Sequence, residues 1–276
     1  MKTICRIIRR TCLRKADMRR IRLIIEYDGT NYVGWQIQPN GVSVQEVLER
    51  ELSALTHENV RVSGSGRTDS GVHALAQVVH FDTCSRIPAD KFPYALNVKL
   101  PPDIRVLYGD EPENQSFHAR FDVCRKHYRY TVYNAPHASA FFRDTALHVH
   151  KKLDLESMQN AARDILGEHD FRAFKAEGVE LKSTVRTIYE SNWTRQGSFL
   201  YYDICGSGFM YNMVRILVGT MLEIGKGYIP EDSIRTALLT CKRESAGATA
   251  PSHGLAMTRV EYDGFDTDDY INQSCR

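Results

Sequence analysis

The 276-residue sequence predicts an α+β fold of two similar halves, each a mainly antiparallel sheet with flanking helices. Three observations carry the prediction. Strand-like alternation and hairpin signals recur in both halves, each half holds one or two amphipathic helical stretches, and no Pro/Gly/Ser-rich linker parts them. The halves look like variations on one theme without a fixed-period repeat. A boundary near residues 110–116, where Gly109-Asp110-Glu111-Pro112 breaks the pattern, divides the chain into 18–112 and 113–276.

In chain order, Ile21, Leu23, Ile25 and Tyr27 alternate with Arg22, Ile24 and Glu26, which predicts a strand ending in the turn Asp28-Gly29-Thr30-Asn31. Ser43-Val44-Gln45-Glu46 is a capping box, followed at helical spacing by Val47, Leu48, Leu52 and Leu55. A strand is expected around Asn59–Val62, then a glycine-rich loop, then an apolar strand over Val72–Phe81. In the second half, Lys126–Tyr133 reads as a strand with Tyr128, Tyr130 and Val132 on one face. Asp154 caps a helix from Leu155 to Leu166 that Gly167 stops. Val185–Trp193 and Phe199–Cys205 flank Gln196-Gly197 as a hairpin, a helix carries Met213, Val214, Leu217, Val218, Met221 and Leu222, and Leu255–Tyr262 is a last strand.

Composition, at 42% hydrophobic and 25% charged, predicts a soluble, well-cored protein and excludes disordered and collagen-like classes. No stretch approaches the ~18–20 apolar residues of a membrane span. The net charge is only +2, but residues 1–20 hold eight basic residues and one acid. Nucleic-acid binding therefore has to rest on a local basic surface. Residues 1–17 read as a basic extension: an RNA-binding arm, a disordered leader, or a stretch preceding a natural start at Met18, the reading favoured here. Seven widely spaced cysteines without a Cys-x-x-Cys pair predict reduced structural thiols in a cytoplasmic protein, and no His/Cys/Asp set has metal-ligand spacing.

The densest cluster of unusual residues is Gly64-Ser65-Gly66-Arg67-Thr68-Asp69-Ser70-Gly71-Val72-His73-Ala74. Its glycines permit close approach by another chain, and its end is anchored in an apolar strand. Asp69 can serve as nucleophile, general base or electrostatic stabiliser, or else merely cap the turn or pair with Arg67. One carboxylate is too few for ordinary glycoside hydrolysis, but a nucleobase leaving group delocalises charge. The triplet Asp69-Ser70-Gly71 also suggests an aspartic protease. Arg67-Thr68 stand where two apolar residues are expected, however, and a nearby cation opposes the proton sharing of an acid dyad. Gly-x-Gly-Arg lacks the Lys-Ser/Thr of a P-loop.

A second constellation, Phe117-His118-Ala119-Arg120-Phe121 with Arg125-Lys126-His127-Tyr128-Arg129-Tyr130, interleaves aromatics with cations. Rings that stack on bases beside Arg120, Lys126 and Arg129 at phosphates suit RNA; a strand with tyrosines inside and charges outside fits equally well. Arg215 stands early in a helix, where its charge opposes the macrodipole; either it meets an anion, a carboxylate or a phosphate, or it is a solvated, snorkelling side chain, and both readings fit equally well. His73 and His118 are expected as hydrogen-bonding structural residues.

Several segments resemble the TruA-type family of tRNA pseudouridine synthases from about residue 20 to 263. They include Glu26-Tyr27-Asp28-Gly29 with Gly34-Trp35-Gln36, the loop Gly66–Ala74, Phe117–Phe121, Lys126–Tyr130, Met213-Val214-Arg215 with Val218-Gly219, and Ala250-Pro251 through Gly254-Leu255. The resemblance implies that Asp69 is the catalytic aspartate, attacking either the ribose or the uracil ring. It also implies that Arg67 displaces the target base from the helix, and that Tyr128 packs on the uracil and removes the C5 proton. Arg215 would then be the ion-pair partner of Asp69, and Leu255 an apolar wall. The implied fold has an active-site cleft between the halves. The implied assembly is a homodimer with tRNA across both subunits, and the targets are uridines at positions 38, 39 and 40 of the anticodon stem-loop. No electrons move and no group is lost, so neither metal nor organic cofactor is required. The extension before Met18 is not part of the family pattern. The competing reading from another class is an RNA-binding module without catalysis.

Overall fold

The computed structural model describes residues 18–176 and 182–274. The reading of residues 1–17 lies outside them, as do Cys5, Cys12 and Cys275. The described cysteines, Cys84, Cys124, Cys205 and Cys241, form no disulfide. The first half runs β1 (Arg19–Tyr27), α1 (Val44–Thr56), β2 (Ser63–Gly64), β3 (His73–Thr83), α2 (Phe92–Asn97) and β4 (Ile104–Asp110). The second begins with β5 (Val123–Asn134), β6 (Leu147–Val149), α3 (Leu155–Arg163), β7 (Gly167–Asp170), β8 (Val185–Gln196) and β9 (Phe199–Gly206). It continues through α4 (Met213–Gly225), α5 (Ser233–Thr240), β10 (Leu255–Tyr262), β11 (Phe265–Asp266) and α6 (Thr267–Ser274).

All eleven strands join one sheet, whose main path is β4-β1-β3-β10-β5-β9-β8-β7. Pairing is antiparallel along this path except between β3 and β10, which run parallel and match Ala256 to His73 and Met257 to Ala74. A strand from the far end of the chain therefore joins the two halves. Because β3 and β10 run the same way, their starting ends lie side by side. The glycine-rich loop feeding β3 and the residues feeding β10 are brought to one place, opposite Tyr128 of β5, which pairs with Met257.

Local chemistry explains the helices. Ser43 Oγ accepts from the Glu46 N–H (3.2 Å) to start α1, which buries Val44, Val47, Leu48 and Leu52. Asp154 accepts from the N–H groups of Glu156 and Ser157 to start α3. That helix stops at Arg163, before Leu166, which is exposed, and Gly167 at φ +92°. Helix α4 is buried on nearly every side and accepts a hydrogen bond from Trp193 Nε1 through Met221 Sδ (3.1 Å). Gly219 lets the 248–250 segment press against it, since a Cβ there would stand 1.8 Å from the Ala248 carbonyl oxygen.

The strand expected over 59–62 is absent, and pairing starts only at Ser63–Gly64. The cause is helix α1: its Ser53 Oγ accepts from the Val60 N–H (3.1 Å) and its Glu49 Oε1 from the Val62 N–H (3.0 Å), which satisfies the groups a strand neighbour would have taken. Leu255–Tyr262 is not the last element, because β11 and α6 follow. Strand β1 is buried on both faces. Ile24 is fully buried, and Arg22 pairs with Asp110 (2.6 Å) with its guanidinium over the Phe265 ring.

Candidate active site

A cavity of about 390 Å³ opens where the two sequence halves meet, lined by Arg67, Asp69, Tyr128, Arg215 and Leu255. The Asp69 loop is tied down at both ends. The buried Gln77 amide accepts from Ser65 Oγ (2.5 Å) and donates to the Gly66 carbonyl (2.8 Å). Tyr27 Oη and Thr68 Oγ1 are 2.8 Å apart, and the Trp35 N–H donates to the Thr68 carbonyl (3.1 Å). Gly71 turns the chain at φ +73°, where a Cβ would stand 2.6 Å from Ser252 Oγ. These bonds leave the carboxylate of Asp69 little freedom to choose where it points.

Asp69 Oδ2 accepts from Arg215 Nη1 at 3.4 Å. Arg215 is itself aimed by shorter bonds, donating from Nε to the Ala250 carbonyl (2.8 Å) and from Nη1 to Asn212 Oδ1 (2.7 Å). Asn212 stands before α4 at φ +60°, and its backbone N–H also donates to Asp69. Burial raises the Asp69 pKa; the Arg215 charge, its hydrogen bond and the Asn212 N–H oppose that rise without cancelling it. The arrangement fits an acid whose desolvated carboxylate is held ready by one cation.

Tyr128 is buried over the pocket, with Phe209 edge-on at 5.2 Å and 84°. Burial, Tyr27 and the Asp69 charge push its phenol well above the usual range, so it is neutral at pH 7. Lys126, on the same face of β5, donates from Nζ to the Ser65 carbonyl (2.5 Å). Burial together with Arg120 and Arg186 lowers its pKa to about 8. Arg120 and Lys126 also line the cavity.

Arg129 is elsewhere. It projects from the opposite face of β5, exposed, and grips Asp203 through Nε (2.7 Å) and Nη2 (3.0 Å), with its guanidinium over Tyr201. The two histidines make structural bonds. His73 Nδ1 accepts from the Gly29 N–H (3.0 Å), and His118 Nδ1 accepts from the Arg120 N–H (3.2 Å).

Asn212, Arg186 and Gln77 are site residues that sequence reasoning passed over. For Asn212 a signal existed, because asparagine just before a helical stripe tolerates the left-handed region. Arg186 and Gln77 gave none, since strand pairing alone brings them here.

The chain is also similar to known proteins. The pattern described as tRNA pseudouridine synthase matches residues 23–122 and 161–263. The tRNA pseudouridine synthase A of Ruminiclostridium cellulolyticum is 48% identical over 246 residues, covering 89% of this chain and all of that protein. The enzymes of the same name from Acetivibrio thermocellus (49% over 245 residues; 89% of this chain, all of that one) and Bacillus subtilis (46% over 246 residues; 88% and 99%) align over the same extent. A loop, a cation partner and a buried tyrosine converging on one carboxylate, within a match that spans most of the chain, lead to one conclusion: the chain belongs to the tRNA pseudouridine synthase family.

Proposed function

We propose that the protein isomerises uridine to pseudouridine in tRNA, at positions 38, 39 and 40 of the anticodon stem-loop, with Asp69 as the nucleophile. The observation that carries this reading is the Asp69–Arg215 pair in a base-sized cavity (3.4 Å). The N1–C1′ bond breaks, the uracil turns, C5 bonds to C1′, the C5 proton leaves and N1 gains one. Asp69 attacks either C1′ of the ribose or the uracil ring, and the bond it forms breaks again before product leaves, which restores the carboxylate. Confinement between Tyr128 and Leu255 keeps the detached base available for recombination. Atoms and electrons balance without a metal or organic cofactor.

The neutral phenol of Tyr128 is suited to packing on the uracil. Removal of the C5 proton by Tyr128 needs a phenolate, which its surroundings disfavour. Arg67, exposed at the rim, is assigned to displacing the target nucleotide, which costs a few kcal/mol of unstacking. Arg120 and Lys126 are assigned to the RNA backbone. Arg129 keeps such a role only for RNA reaching the far face of β5, where it would have to give up Asp203.

The reading includes a cytoplasmic homodimer whose two subunits share one tRNA, with 18–112 and 113–276 as the halves of each. An exposed aromatic surface supports the second copy: Phe141 is 92% exposed, and its chain neighbour Phe142 packs with Tyr133 and Phe199, the three rings 4.9–5.7 Å from one another. Among the described residues no helix is long and apolar enough to cross a membrane.

The test is pseudouridine mapping of tRNA transcripts incubated with purified protein and no added cofactor, comparing wild type with Asp69→Asn. Product in the anticodon stem from wild type alone is expected. Product from both removes Asp69 from the chemistry. Product from neither, with tRNA still bound, favours an RNA-binding module.

A further inference from the structure

The segment 117–122, between β4 and β5, holds an aromatic ring that the cleft chemistry leaves unused. Its backbone is fastened at nearly every point. Ala119 is fully buried; its N–H donates to His80 Nδ1 (3.1 Å) and its carbonyl accepts from the Tyr262 hydroxyl (2.6 Å). The His118 N–H donates to Asp122 Oδ2 (2.7 Å), and the N–H groups of Phe121 and Asp122 both donate to the His118 carbonyl (3.1 Å each). Phe121 is nonetheless 74% exposed.

That ring is also oriented. Its centroid lies 4.3 Å from the His118 ring at an interplanar angle of 31°, and His118 rests in turn on the buried His80 ring at 4.7 Å. The Arg120 guanidinium is 5.7 Å from the Phe121 centroid, and Arg120 lines the Asp69 cavity. An apolar ring backed by a second ring therefore stands beside a cation at the edge of the cleft.

We propose that Phe121, backed by His118, is a stacking platform for an unpaired nucleobase of the RNA, next to the base that enters the cavity. The proposal rests on the RNA-isomerase reading. When one nucleotide leaves a stem, its neighbour loses a stacking partner, and a fixed ring at the cleft mouth replaces that partner at little ordering cost. Arg120, on the adjacent residue, neutralises phosphate on the same strand. Such a platform accepts any base, because every base presents a π-face.

The experiment measures tRNA affinity and pseudouridine formation for wild type, Phe121→Ala, Phe121→Leu and Phe121→Trp, with circular dichroism and sedimentation as controls. Both Phe121→Ala and Phe121→Leu should bind tRNA roughly five- to a hundredfold more weakly. Phe121→Trp should restore binding, and its fluorescence should be quenched by tRNA beyond any change seen with Trp35 and Trp193 alone in wild type. Leucine behaving as wild type, or an unquenched tryptophan, would overturn the platform while wild-type activity leaves the isomerase reading standing. Loss of self-association in Phe121→Ala would overturn it in favour of a contact between copies. A wild type that binds tRNA and forms no pseudouridine would sink the isomerase reading, and the platform with it.

Discussion

Lys126 and Arg129 stand three residues apart on β5 and meet opposite surroundings. Lys126 faces the cleft beside Arg120 and Arg186 and has no carboxylate partner among the described residues, and burial with those two cations lowers its pKa to about 8. Arg129 faces the other way, in water, gripped by Asp203 through two hydrogen bonds. One short motif is thus split by the two-residue alternation of a strand into a cation that has its anion and a cation that lacks one. A fold that concentrates unpaired, partly desolvated positive charge around a single carboxylate is electrostatically incomplete until a polyanion arrives.

The largest effect expected within that frame concerns Arg215, the cleft cation paired with Asp69. Arg215→Met should lower turnover on the order of a hundredfold or more while leaving tRNA affinity nearly intact. Arg215 opposes the desolvation that raises the Asp69 pKa. Its loss should therefore move the pH at which activity begins upward, read from the acid limb of single-turnover rates. An unmoved limb would mean that Arg215 does not hold Asp69 ionised.

A smaller effect, on affinity, divides the two sides of β5. Lys126→Ala should weaken tRNA binding and reduce the slope of log affinity against log salt by about one, whereas Arg129→Ala should leave the slope almost unchanged. Bound phosphate favours the charged lysine, so wild-type affinity should fall as pH rises through about 8. Lys126→Arg should remove that dependence. Equal salt slopes for the two alanine variants would erase the distinction between the faces.

The smallest effect probes the device that aims Arg215. Asn212→Gly keeps the left-handed turn but removes the acceptor of the 2.7 Å bond. Turnover should drop about tenfold, consistent with one hydrogen bond to a charged group, and the acid limb should move upward as for Arg215→Met, by less. Full activity in this variant would show that the Ala250 carbonyl positions the guanidinium without help.

These residues differ in how far the sequence discloses them. Asp69, Arg67 and Tyr128 lie in local patterns whose chemistry is written in a few consecutive letters. Alternation along β5 already separates Arg129 from Tyr128, since an odd spacing reverses the face. The 59–62 segment carries a strand-like pair of valines, but its N–H groups are claimed by Ser53 and Glu49 on a neighbouring helix, a choice that no local pattern records. The short helices α2 and α6 carry neither a capping box nor a long apolar stripe to mark them. The order of strands was the least legible feature. Which strand lies beside which depends on contacts across most of the chain, and only such a pairing brings Arg186 and Gln77 to the site.

The placement of β10 bears on how the protein is made. The ribosome delivers this strand after both of its neighbours, β3 and β5, have emerged. Until then each of those strands presents an unpaired edge toward the gap, the kind of surface on which nascent chains pair wrongly or aggregate. Leu255 is also missing from the pocket during that interval. Assembly of the cavity is therefore coupled to synthesis of β10, and a chain that stops short of it has Asp69 but not the Leu255 wall beside it.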